Sequence, residues 1–162
     1  MKNWLLLPFF CFFILAAYSQ DDDALYRKNK SIPSFELQLT DNAVFTKVSL
    51  KKNTPLILMY FSPTCDHCIH QTEAMLKRMK DLSKFQIVMA TYQPIEDLRE
   101  FNKKYQLKKY PNITTGRDTK YALPPFFEIR NFPYLAFYDK KGVLLSIFEG
   151  TLAVDDVLER FK

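Results

Sequence analysis

The sequence predicts one α/β domain, a central mixed sheet flanked by helices, and three observations carry that reading. The continuous apolar run Leu56 to Phe61 is followed at once by a helical period; a second strand-then-helix pattern starts at Phe85; and two alternating strands joined by a turn precede a last amphipathic helix. A length of 162 residues lies in the ~100–200 range of a single domain. At 48% hydrophobic residues, the chain can bury one sizeable core.

Residues 1–19 read as a secretory signal peptide: Lys2, an apolar run from Trp4 to Ala17, then small residues at Ala17 and Ser19, three and one positions before Gln20. The run is shorter than the ~20 residues a bilayer requires, and Pro8 interrupts it. An uncleaved membrane anchor is the alternative. Export, and a periplasmic location, are therefore expected. Residues 20–34, from the Asp21-Asp22-Asp23 run through Lys28-Asn29-Lys30, are charged and lack an apolar period, which predicts a flexible leader into a domain at 35–162.

In the domain, Phe35 to Leu39 alternates apolar with polar, Asp41-Asn42 supplies a turn, and Val44 to Leu50 alternates again, so a β-hairpin opens it. Leu56 to Phe61 is a strand buried on both faces. Ile69, Thr72, Leu76, Met79 and Leu82 then recur at helical spacing, predicting a helix from near Cys65 to near Ser83. Phe85 to Tyr92 is the next strand. A helix over Ile95 to Tyr105 opens with Pro94 and an acidic first turn. Residues 106–125 are broken by Pro111, Gly116, Pro124 and Pro125, leaving a short strand near Ile113 and helical turns around Thr119 to Leu123. Tyr134 to Tyr138, the turn Asp139-Lys140-Lys141-Gly142 and Val143 to Phe148 form an antiparallel pair, and Asp155 to Phe161 the final helix.

Basic residues exceed acidic ones by five, but they are dispersed in pairs such as Lys51-Lys52, Lys108-Lys109 and Lys140-Lys141. Such dispersion describes a solvated face and excludes a nucleic-acid groove. Of the three cysteines, Cys11 would leave with the signal peptide, so the mature thiols are Cys65 and Cys68 alone. A pair in four residues is not a disulfide-stapled scaffold.

Two cysteines three positions apart on the first turn of a helix share a face and can bridge reversibly. At the helix opening, free amides and the positive end of the dipole favour a thiolate, so Cys65 is the expected nucleophile and Cys68 the resolving thiol. His67, between them, is expected to tune the redox poise by stabilising that anion, with Asp66 opposing it; the alternative is a polar helix-start residue. His70 is expected to be exposed and inert. No metal site and no cofactor are expected, because closed zinc sites draw ligands from two separated segments and the chain has a single cluster.

With the order strand, Phe61-Ser62-Pro63-Thr64-Cys65-Asp66-His67-Cys68, helix, residues 31–162 resemble the thioredoxin superfamily, and the initial hairpin makes the chain similar to its TlpA/ResA-like exported redoxin branch. The resemblance implies a thioredoxin-like fold, a thiol:disulfide oxidoreductase acting on protein thiols and disulfides, and an electron-transfer partner, with the chain expected as a monomer. It also implies that Pro133, in Phe132-Pro133-Tyr134, is cis, and that the backbone of Phe132 pairs with an extended substrate segment. Two departures stand out. Met59 occupies the place of the buried acid found six residues before the first cysteine in thioredoxins, and Asp66-His67 replaces Gly-Pro, which leaves the direction of electron flow open. A thiol peroxidase is a second enzymatic reading, although Leu58 stands where its pattern requires proline before Ser62. A copper- or zinc-binding protein using the two thiols is a third.

Overall fold

The structure, a computed structural model, describes residues 24–162. The expected signal peptide and the first residues of the leader lie outside the described residues. Seven strands, β1 Glu36–Gln38, β2 Val44–Thr46, β3 Leu56–Tyr60, β4 Gln86–Thr91, β5 Ile113–Asp118, β6 Tyr134–Tyr138 and β7 Leu144–Glu149, form one sheet in the order β2-β1-β5-β4-β3-β6-β7. β3, β4 and β5 run parallel, and the remaining pairings are antiparallel, giving the mixed sheet the sequence predicts.

Because successive side chains of a strand point to opposite faces, the fully buried β3 feeds two cores at once. Ile57 and Met59 pack with residues of α2 Asp66–Lys77, α3 Ile95–Lys104 and α5 Val154–Glu159. Leu56, Leu58 and Tyr60 pack on the other face with α4 Leu123–Phe127 and with Tyr26 of α1 Leu25–Lys28.

Several expectations are corrected. Over residues 24–34 the chain is a packed strap, not a flexible leader: Ala24 and Ile32 are buried, Tyr26 lies 6.2 Å from the Phe127 ring, Ser31 bridges Val143, and the Leu144 amide donates to the Lys30 carbonyl at 2.7 Å. Isolated apolar anchors in a charged stretch have no period, so the pattern concealed them. The helix after the cysteines ends at Lys77, and tight turns with three-residue hydrogen bonds carry the chain to the buried Leu82. β2 is short, giving way to a 3₁₀ turn at Lys47–Ser49. The helical turns expected at Thr119 to Leu123 instead occupy Leu123–Phe127, with Pro124 and Pro125 in the first turn, where a missing N–H leaves nothing unpaired.

Candidate active site

β3 delivers the chain to the site. Beyond Tyr60, the buried Phe61, Ser62 and Pro63 lead to the exposed Thr64, and Cys65 takes the N-cap position of α2 in an extended conformation (φ −85°, ψ 120°). Its amide donates to the Ser62 carbonyl at 3.2 Å, and its own carbonyl accepts the Ile69 amide at 2.9 Å, so both flanks of the thiol are fixed by main chain. Ser62 and Thr64 share a hydroxyl hydrogen bond of 3.2 Å across the loop.

Cys65 is half-buried, whereas Cys68, one turn into α2, is fully buried. Burial pushes the Cys68 thiol well above the ordinary thiol range, and its hydrogen-bonding contact with Cys65 adds to this; the Ser62 backbone acts the other way. Thr72 donates its hydroxyl to the Cys68 carbonyl at 2.8 Å. His67 and His70 both stand exposed on α2. Among the described residues no three His, Cys, Asp or Glu side chains are placed to share a metal ion.

The second wall comes from β6. Register sets Tyr134 opposite Tyr60, so Pro133 enters the strand level with Phe61, where the cysteine loop departs. The Phe132–Pro133 peptide bond is cis, and the Pro133 carbonyl accepts the Gly150 amide at 2.7 Å. Phe132 and Cys65 pack against the same apolar cluster. Thus Cys65, Cys68, Phe132 and Pro133 gather at one end of the sheet, while His67 shares the helix but faces solvent.

Two features at the site escaped the sequence reading. Gln71 is fully buried one turn after Cys68: the Leu152 amide donates to its Oε1 at 2.7 Å, and its Nε2 has no partner. The buried face of α2 is therefore Cys68, Gln71, Thr72 and Met75, with Ile69 and Leu76 only partly covered. A row of aromatic rings also runs outward from Phe132, with Tyr60 at 5.9 Å, Tyr92 at 6.2 Å, and Tyr121 a further 6.0 Å beyond Tyr92. Met59, which stands where the sequence resemblance calls for an acid, is buried in the same apolar cluster as Cys68, and the buried carboxylate among the described residues, Asp118, sits elsewhere: it accepts the Ala122 and Leu123 amides at 3.1 and 3.0 Å and so caps α4.

No family model and no curated relative matches the chain. Solved structures do. A thiol:disulfide interchange protein of the thioredoxin family from Chlorobium tepidum superposes with a TM-score of 0.67 at 19% identity, over 81% of this chain and 92% of that one. A secreted disulfide oxidoreductase from Mycobacterium tuberculosis gives 0.65 at 18% identity, over 86% and 96%. StoA from Bacillus subtilis gives 0.61 at 15% identity, over 79% and 96%. With a mixed sheet in which an inner strand runs into a Cys-X-X-Cys helix, and with these superpositions across most of each chain, the protein has the thioredoxin fold.

Proposed function

We propose that the protein is an exported thiol:disulfide oxidoreductase exchanging electrons with protein thiols and disulfides. The observation that carries this reading is the inequality of the two neighbouring thiols: one half-exposed at the mouth of α2, the other buried one turn further in, where burial favours the thiol form. The neighbours' names, thiol:disulfide interchange protein and disulfide oxidoreductase, agree with it.

In the reducing direction, the Cys65 thiolate attacks a client disulfide; one client sulfur departs as thiolate, and a mixed disulfide joins Cys65 to the other. Cys68 then attacks the Cys65 sulfur, its proton ending on the released client sulfur, and the protein is left with a Cys65–Cys68 disulfide while the client has gained two electrons. An unidentified dithiol partner restores the reduced pair. Run backwards, the same steps oxidise a client dithiol. Phe132, preceding Pro133, offers its backbone to an extended client segment beside Cys65, a mode that tolerates many sequences. His67 raises the potential by stabilising the reduced pair.

Insulin reduction with a thiol donor tests this reading. Cys65→Ser abolishes turnover, and Cys68→Ser accumulates a mixed disulfide visible on a non-reducing gel; full turnover by Cys65→Ser refutes the assignment. The potential of the pair gives the direction, with about −120 mV marking an oxidant and about −270 mV a reductase. His67→Pro shifts that potential downward, and an unmoved value removes His67 from the mechanism. Export is tested by where the processed protein is found after fractionation of the cell.

A further inference from the structure

We propose that the end of the sheet opposite Cys65 docks on an anionic lipid bilayer. Two lysine pairs, dispersed in the sequence, are brought together there: Lys51-Lys52 precedes β3, and Lys140-Lys141 follows β6. Since Leu56 pairs with Tyr138 and Tyr60 with Tyr134, the two antiparallel strands place both pairs at one end and the cysteine loop at the other. The five-residue strand separates them by roughly 15 Å. With Lys47, these lysines rim one open groove of about 380 Å³.

The two turns are alike. Each is a Lys-Lys followed by a left-handed residue, Asn53 at φ 55° and Gly142 at φ 79°, and each backbone is pinned by a side chain. Gln86 accepts the Lys51 amide at 2.9 Å and donates to the Lys51 and Thr54 carbonyls at 3.1 and 2.9 Å. Asp139, the acidic residue of the groove, accepts the Lys141 and Val143 amides at 2.8 and 2.9 Å. All five lysines are exposed, and among the described residues none has a carboxylate within ion-pair distance; the Lys47 ammonium reaches only the Ile32 carbonyl.

A bilayer fits this surface better than a single anion or a nucleic acid. The groove's donors are the tips of flexible, solvent-facing chains, suited to an array of phosphates and not to enclosing one ion. Apolar side chains stand among them: Val48, beside Lys47, is 92% exposed, and Val143, following Gly142, is 43% exposed. Basic residues with apolar tips match the charged headgroups and underlying acyl boundary of a membrane surface. Docked in this way, the sheet directs Cys65 away from the lipid.

The test uses the full chain with phosphatidylcholine vesicles and with mixed phosphatidylcholine–phosphatidylglycerol vesicles. Residues 1–19 are common to every protein compared, so the readout is the ratio of the two affinities. Each lysine near an anionic surface is worth about fivefold in affinity. The ratio is therefore expected to fall about six-hundredfold when Lys51, Lys52, Lys140 and Lys141 are all changed to Gln, and to collapse in high salt. Val48→Ser should lower binding to the mixed vesicles severalfold without changing the salt dependence. Insulin reduction and the thermal midpoint should be unaltered in the fourfold variant, excluding misfolding. An equal ratio for parent and variant, or no preference for anionic vesicles, overturns the proposal. So does saturable binding of inorganic phosphate or duplex DNA that the variant loses while vesicle binding persists.

Discussion

Cys68 and Cys65 differ in burial far more than four residues of sequence imply, and the difference has a measurable pH signature. In the reduced protein the buried Cys68 is held as a thiol, whereas in the unfolded chain it ionises near the ordinary value of ~8.5. Above that pH the unfolded state loses a proton the folded state keeps, so stability is full below it and declines as pH rises toward the elevated folded value. Urea unfolding of the reduced protein should thus show a downward slope between about pH 8 and 9.5, below the ordinary ~10 of the buried tyrosines, which are shifted upward too. The oxidised protein, having no Cys68 proton, should lack the slope, and equal slopes would contradict the assignment. The thiols were legible from spacing alone. Gln71 was not, because a glutamine on a helix reads as solvated, and its burial depends on a Leu152 amide arriving 81 positions later.

At the level of elements, Gln71 joins α2 to the loop before α5. Gln71→Leu leaves the Leu152 amide without an acceptor, at a cost of about 1–3 kcal/mol in denaturant unfolding. Gly116 has a similar bridging place in β5. A Cβ there would lie 2.6 Å from the Leu37 Cβ and 3.3 Å from the Gln38 carbonyl, so Gly116→Ala must push β1 from β5, with an expected loss of about 1–3 kcal/mol. A parent-like midpoint would show that β1 can yield. β3, β4 and β6 were legible because central strands buried on both faces leave continuous apolar runs. Residues 106–125 were legible only in part: β5 lies where a short strand near Ile113 was expected, but its extent through Thr114, Thr115, Gly116 and Arg117 comes from the neighbours on either side, and the helical turns fall at Leu123–Phe127.

The whole molecule is closed by the strap at 24–34, which covers the sheet face opposite α2. Ile32 belongs to the buried cluster of that face, so Ile32→Ala should lower stability by about 2–4 kcal/mol, whereas a freely moving leader would give no change. Global unfolding by circular dichroism separates the two outcomes. The lysine groove is likewise a property of the whole chain, since neither pair alone distinguishes itself from the other basic doublets until two antiparallel strands align them. That alignment of β3 with β6 has a further implication for divergence. Because ladder hydrogen bonds, which are blind to side-chain identity, set Pro133 level with the start of the cysteine loop, drift can replace nearly every neighbouring side chain while the spatial relation of the two survives, provided no residue is inserted or deleted within either strand.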